Sequence, residues 1–447
     1  MPGAGAIPSA ECIRQWYIPT LQKAHDKELY KIVNKADGII LTVDESSDNV
    51  TDRSVLNLIL TPVTADSASR KIVSYLGDQI YADTVDHKIV AAEVMRVINK
   101  FDIKHDRVLA YITDNVAYMS KSFTLFSAFF ENCLHITCTA HLFDLLFERV
   151  RMYATEVHEF MVKWQAYFKN SVNRKKRFAA FIESKDLSKA KCPKPCTTRW
   201  TPWLKAVLWH DERNRFLDEF LTSEHEESDS VSSKVLLAML ADGTVERDLQ
   251  YLGSVVPTLI AAIEAQETNS VTSHHLLQNL ADLKAFIKTQ KNSRTHTEWR
   301  GMWTDILEKF QEYFEWSGSA PTYCQKGLNF FRRTRLLDPK QAGELDVTIS
   351  EMKLMPLLST VPVSQIQAYI DEVGTVTPHS TLGYWENRLR RWPELARAAI
   401  VTLSIPTHAS EVERSFSAYS RVVTKLRTAM SDTTLKTCNM LHYNCIL

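Results

Sequence analysis

Gly38-Ile39-Ile40-Leu41-Thr42-Val43-Asp44 is a nearly continuous β-forming run that ends in an acid. Such a run reads as a strand buried on both faces, and a side chain at its end projects into a crevice. Ser54-Val55-Leu56-Asn57-Leu58-Ile59-Leu60-Thr61 then alternates as a second strand, and Arg70-Lys71-Ile72-Val73-Ser74-Tyr75-Leu76 fits a third. From Thr84 to Phe101, Val85, Ile89, Val90, Val94, Val97 and Ile98 fall at helical intervals. Arg107-Val108-Leu109-Ala110-Tyr111-Ile112-Thr113-Asp114-Asn115 is again a strand that ends in an acid. A helix over Ala117 to Phe130, a short strand over Cys133 to Cys138 and a helix over Ala140 to Arg151 complete this region.

The order β-β-β-α-β-α-β-α is that of a ribonuclease-H-like fold, in which the first and fourth strands are neighbours. That adjacency brings Asp44 and Asp114, 70 residues apart (114 − 44), to neighbouring strand ends. Two carboxylates at such a point repel unless a cation sits between them, and hard oxygen ligands suit magnesium or manganese. Glu45 and Asp48 stay open as alternatives to Asp44, and Asp114 has an ordinary reading as the cap of the following helix.

A third acid comes from Ile405-Pro406-Thr407-His408-Ala409-Ser410-Glu411-Val412-Glu413-Arg414-Ser415-Phe416-Ser417. Pro406 and Thr407 read as a helix start, and Ala409, Val412, Phe416, Tyr419, Val423 and Met430 recur as a core-facing stripe. At about 100° per residue, Glu413 falls on one flank of the stripe and Glu411 slightly further round on the other side. Glu413 lies 299 residues beyond Asp114 (413 − 114), too far for a bare core of this kind. Val157 to Lys185 reads as helix, and long helical patterns over Val235 to Ala265, His274 to Thr289 and Trp299 to Trp316 fill the gap as an all-helical insertion.

Between these acids lie further candidates. Cys138-Thr139-Ala140-His141 puts a thiol and an imidazole near one face of a first helical turn. Cys192 and Cys196 would complete a four-ligand zinc site with Cys138 and His141, but a packed thiol and a helix-start histidine that orients backbone or phosphate is preferred. In Thr197-Thr198-Arg199-Trp200-Thr201-Pro202-Trp203, the Trp200 indole offers a stacking face for an unpaired base and Arg199 a phosphate contact. Arg174-Lys175-Lys176-Arg177 is the one dense basic run, readable as a DNA contact, a weak nuclear signal or a solvated face. The acidic, Ser-rich stretch from Glu224 to Ser230 reads as a loop.

Length and composition allow this organisation. The chain has 447 residues, 45% hydrophobic and 24% charged, and its 12 glycines argue against a turn-rich all-β architecture. A formal net charge of zero means that any basic surface must be local. Eight scattered cysteines suggest free thiols in a reducing compartment. No apolar run reaches membrane-spanning length, and Met1 to Ala10 reads as a disordered lead-in.

Ala409-Ser410-Glu411-Val412-Glu413-Arg414-Ser415-Phe416-Ser417 resembles the Ser-Ala-x-x-Glu-Arg-x-Phe-Ser signature of hAT-superfamily transposases, with its first two residues reversed. Tyr384-Trp385, Trp392-Pro393-Glu394-Leu395, Leu403-Ser404-Ile405-Pro406 and Lys425-Leu426-Arg427 resemble the flanks, and Arg335-Leu336-Leu337-Asp338-Pro339-Lys340 the element that follows the family's insertion. The Cys-x-x-His and Arg-Trp pairs are also similar to family motifs, whereas Ser46-Ser47 stand where an aromatic residue is common.

The resemblance implies a DDE triad of Asp44, Asp114 and Glu413 holding magnesium or manganese for DNA strand cleavage and transfer, with DNA contacts from His141, Arg199 and Trp200. It implies a lead-in over 1–36, a core over 37–203, an insertion over 204–340, and core completion with a dimerising C-terminal region over 341–447. DNA and a second copy of the chain are the expected partners, the nucleus the expected location, and no membrane or small-molecule cofactor is expected. No Cys and His before Asp44 have the spacing of the family's zinc finger, so a truncated or domesticated relative, or specificity supplied by another chain, is implied. The competing expectation is a non-catalytic nuclear protein that dimerises or associates with DNA.

Overall fold

The computed structural model of the chain describes residues 8–48, 52–66, 72–195, 200–228, 230–268, 270–315, 323–376, 378–423 and 430–446. Two compact units emerge, one of Met1–Leu142, Gln266–Gln278 and Tyr313–Leu447, the other of Phe143–Ala265 and Asn279–Glu312.

The first unit is built on a five-stranded mixed sheet: β1 (Gly38–Asp48), β2 (Arg53–Val63), β3 (Tyr75–Ala82), β4 (Val108–Thr113) and β5 (Leu134–Thr137). Its order is β3-β2-β1-β4-β5, with β1 to β3 antiparallel and β4 and β5 parallel to β1. The expected adjacency of the first and fourth strands is present, with Ile40 opposite Ala110 and Thr42 opposite Ile112. β3 starts at Tyr75 rather than Arg70; residues 67–71 lie outside the described residues.

Side-chain alternation divides the sheet into two faces. Ile39, Leu41 and Val43 of β1, with Leu56, Leu58 and Leu60 of β2, enter one apolar core. That core is closed by α1 (Ile18–Lys35), α2 (His87–Lys100) and α3 (Ala117–Phe126), through Leu29, Val33, Val90, Val94, Val97, Met119 and Phe126. α3 stops at Phe126, and a single 3₁₀ turn carries the chain to Phe129.

Asp44 has the opposite parity, as do Asn57 and Gln79, and that face is covered by α4 (Ser410–Val422) and α5 (Asp432–Asn444). The expected stripe of α4 is buried at Ala409, Val412, Phe416, Tyr419 and Val423. The helix ends at Val422, so Met430 is not part of it.

The helix also starts later than Pro406 and Thr407 suggested. The Thr407 hydroxyl is directed to Gln266 Oε1 (3.2 Å) and its carbonyl accepts from Thr139. His408 supplies the acceptor instead, its Nδ1 receiving the Ser410 N–H at 3.2 Å.

The rest of the first unit is helical and anchored by aromatic side chains. Trp385 is fully buried, its Nε1 donating to Leu337 O at 2.7 Å, and its ring lies 4.8 Å from that of Tyr369. The Tyr369 hydroxyl donates to Leu336 O at 2.7 Å, so two aromatic side chains hold neighbouring carbonyls of one turn.

The second unit has no strand among its described residues. Two of the expected long helices are broken, into Thr155–Phe168 and Val172–Ser184, and into Val231–Leu240 and Thr244–Glu264. Gly243 makes the second break with φ of +71°, a left-handed conformation that glycine adopts readily. Glu224 lies within the helix Trp200–Ser228 rather than in a loop, and two arginines pair with it there. Trp164, Phe178, Trp209 and Phe220 form the aromatic centre of this unit.

Trp385→Ala removes a large buried side chain and leaves Leu337 O without its donor. It should cost about 3–5 kcal/mol, read as a lower urea midpoint, whereas an unchanged midpoint would show that Trp385 does not anchor the turn.

Candidate metal centre

Three acids and bases from distant parts of the sequence meet at the α4 face of β1. Ligand-capable atoms of Asp44, His141 and Glu413 all lie within 4.8 Å of one another, with His141 Nε2 3.7 Å from Glu413 Oε1. Asp44 is 5% exposed, while His141 and Glu413 are half-buried.

A short set of backbone bonds sets this meeting. Past β5, Cys138 N donates to Thr113 O at 2.7 Å, holding the chain beside the end of β4. The Thr139 amide and hydroxyl both donate to Thr407 O, at 3.0 and 2.9 Å, and Ala409 N donates to the Cys138 sulfur at 3.1 Å. The helix carrying His141 and the helix carrying Glu413 therefore start from one junction. His408 stiffens it: Nε2 is 3.1 Å from Thr268 O and Nδ1 2.7 Å from Ser410 Oγ. Burial pushes the His408 imidazole down to about 4, so it stays neutral, with Nε2 donating and Nδ1 accepting.

Farther along, α4 is fastened to the sheet by polar groups. Asn57 Nδ2 donates to Ser415 Oγ at 2.7 Å, Gln79 Nε2 donates to Asn57 Oδ1 at 2.8 Å, and the Tyr419 hydroxyl donates to Asp48 Oδ2 at 2.9 Å. Each group is satisfied by another, which fixes the rotation of α4 and hence the direction of Glu413.

The centre is short of positive charge. Burial, with Glu413 and Asp114 adding repulsion, pushes the Asp44 carboxyl up to about 7 against the opposing effect of His141. Burial also opposes charge on His141, but the Cys138 sulfur, Asp44 and Glu413 outweigh it and push the imidazole up to about 10. Asp114 is raised by burial, against the Val116 N–H and His141. An imidazolium thus stands between carboxylates where a divalent cation would have the same electrostatic role. The two carboxylates are hard oxygen ligands that fit magnesium or manganese, with the imidazolium beside them as a second positive charge.

Asp114 is not a member of the close group. It stands at the end of β4, its Oδ1 accepting Val116 N at 3.2 Å, and it acts on Asp44 through charge. Glu45 has the other parity and accepts from the Ser54 and Tyr118 hydroxyls, both at 2.5 Å. Asp48 is engaged by Tyr419, and Glu411 accepts from Tyr443 at 2.9 Å and pairs with Arg414. Of the acids weighed in the sequence, Asp44 and Glu413 are the two in the close group.

The other candidates lie elsewhere. Arg174 stacks on Tyr167 at 3.7 Å and pairs with Glu224, and Arg177 makes a two-point contact with the same buried carboxylate at 2.5 and 2.7 Å. These two arginines therefore serve the second unit's packing, while Lys175 and Lys176 are exposed. Arg199 and Cys196 lie outside the described residues; Trp200 opens the helix Trp200–Ser228. Cys192 belongs to the second unit, its sulfur 3.3 Å from Pro193 O and 4.0 Å from His210 Nε2. What the sequence reading missed is His141 as a partner of carboxylates; the Cys-x-x-His spacing signalled a placed imidazole, but not what it faces.

A carboxyl raised by burial contributes stability below the ordinary carboxylate range and loses it as pH rises through its folded value, here about 7. In metal-free protein Asp44→Asn should therefore stabilise the fold at pH 8, by on the order of a few kcal/mol, and have little effect at pH 4. Thermal melts at the two pH values measure this. A variant destabilised at pH 8 would show that His141 compensates the buried charge fully.

Comparison with known proteins adds one finding. No curated protein matches the chain. A family model, the hAT family C-terminal dimerisation region, matches residues 365–445, a span that includes α4, α5 and Glu413. Residues 365–445 are thus similar to a hAT-family C-terminal dimerisation region, and this similarity supports a hAT-superfamily, transposase-derived protein.

Proposed function

We propose that the protein is a hAT-type transposase-like protein that self-associates through its C-terminal region and cuts DNA phosphodiester bonds at a divalent-metal centre on Asp44 and Glu413. The observation that carries this is the convergence of Asp44, His141 and Glu413, although Asp44 and Glu413 are 369 residues apart (413 − 44). Self-association rests on the dimerisation region at 365–445. The β3-β2-β1-β4-β5 order is in keeping with a ribonuclease-H-like core, with Asp44 within its central strand β1 and Asp114 just past the end of β4.

In this reading Asp44 and Glu413 hold magnesium or manganese, which would activate a water or 3′-hydroxyl and stabilise the leaving oxygen. Asp114 adds negative charge from the end of β4 and keeps the centre selective for cations. His141, held as an imidazolium, offsets that charge and offers a donor to a backbone phosphate. Arg199 and Trp200 remain the proposed contacts for phosphate and an unstacked base, with exposed Lys175 and Lys176 as a peripheral attraction for DNA. This reading implies a nuclear location.

A second reading has its own support. The His141–Glu413 contact already neutralises the third acid, which suits a domesticated protein that keeps the fold and the dimer but not the cut.

Supercoiled plasmid nicking with manganese separates the two. Catalysis predicts nicking that falls by roughly a hundredfold or more in Asp44→Asn and in Glu413→Gln. Nicking that survives in both variants contradicts the metal assignment. A wild-type chain that elutes as a dimer without nicking favours the second reading.

A further inference from the structure

Away from Asp44, the first unit holds a second group with metal-ligand chemistry. Ligand-capable atoms of His274, His275 and Asp338 all lie within 4.8 Å of one another. His274 is 4% and Asp338 2% exposed, whereas His275 is at the surface. The two imidazole rings are 3.9 Å apart.

The surroundings are ordered by hydrogen bonds that leave room for a ligand. Asp338 Oδ1 accepts from the Thr381 hydroxyl at 2.9 Å and from Lys340 N at 3.3 Å, and Oδ2 accepts from Gln341 Nε2 at 2.8 Å. A carboxylate has about four acceptor positions, so these three partners leave capacity for one more. Gln341 Nε2 also donates to His274 O at 3.0 Å, and the Ser273 hydroxyl donates to Leu403 O at 2.7 Å. Both sides of the group are therefore fixed by their own neighbours, as supports around metal ligands are.

The ordinary reading makes Asp338 the cap of the helix Pro339–Ala342 and His274 a core residue. It accounts for Lys340 N but not for His274 Nδ1, a buried polar atom with no hydrogen-bond partner. Nor does it give a reason for two imidazoles, tilted by 44° to each other, set beside one buried carboxylate.

We propose that His274, His275 and Asp338 bind one zinc-class divalent cation, with a water completing the shell on the exposed side of His275. Two nitrogens and one oxygen select a borderline transition cation over magnesium or calcium. The cation clips the segment Gln266–Gln278 to the turn before Pro339. Gln266, Glu267 and Thr268 of that segment receive Thr407, Arg414 and His408, so the clip also steadies the start of α4. The role is structural and independent of whether Asp44 and Glu413 support cleavage.

Cobalt(II) is the probe, since nitrogen ligation gives it visible d–d absorption. The full-length chain is titrated with cobalt in excess magnesium, with and without Asp44→Asn and Glu413→Gln together, so that the first centre is either occupied or removed. One cobalt should bind in both backgrounds, and His275→Ala, a surface change, should weaken it by at least about tenfold. Gln341→Ala should weaken it as well, and zinc should displace the cobalt and raise the thermal midpoint of the parent but not of His275→Ala. Equal cobalt affinity in parent and His275→Ala, or cobalt binding abolished by Asp44→Asn with Glu413→Gln, overturns the proposal.

Discussion

A carboxylate buried within a central strand is the constraint around which the first unit is arranged. Alternation along β1 directs Leu41 and Val43 toward alternate positions in the apolar core and turns Asp44 to the opposite face. Whatever covers that face must either neutralise the acid or leave a path to a cation, because an isolated buried charge is costly. The chain supplies cover from α4, hundreds of residues later, and α4 brings a second carboxylate rather than a simple counter-charge. His141 makes the assembly tolerable without metal. The same arrangement makes a divalent cation favourable, which links the stability of this face to its proposed chemistry.

Rigid placement of Glu413 follows from polar packing rather than from apolar burial alone. The stripe of Val412, Phe416 and Tyr419 presses α4 onto the sheet, but apolar contact tolerates sliding and rotation. Asn57, Gln79 and Ser415 form a hydrogen-bonded set at 0–1% exposure that has one satisfactory register. Residues of this kind inside a helix–sheet interface give up some stability for a fixed geometry. At the other end of the helix, the Thr139–Thr407 and Cys138–Ala409 contacts lock the junction from which His141 also departs.

Much of this was legible because strand and helix periods are local properties. Gly38 to Asp44 and Val108 to Thr113 announced themselves by continuous apolar character. But β1 runs on to Asp48, so Asp44 lies within the strand rather than at its end, while Asp114 does follow the end of β4. The stripe of α4 predicted which side of Glu413 faces the core, and Glu411 turned out to be consumed by Tyr443 and Arg414. What stayed hidden depended on partners far away in sequence. Thr407 has the composition of a cap, yet its oxygens are claimed by Thr139 and Gln266, and His408 takes the capping role. Arg174 and Arg177 look like a DNA-binding run until Glu224 is placed beside them. His274 and His275 read only as the start of a helix until Asp338 closes on them.

The most direct measurement is a crystal structure of the full chain grown with manganese, with anomalous difference maps recorded at the manganese edge. A peak bonded to carboxylate oxygens of Asp44 and Glu413, beside His141, is the expected result. A map with no peak there, and with the His141–Glu413 contact unchanged, would contradict the metal centre and leave dimerisation as the inherited property of this fold.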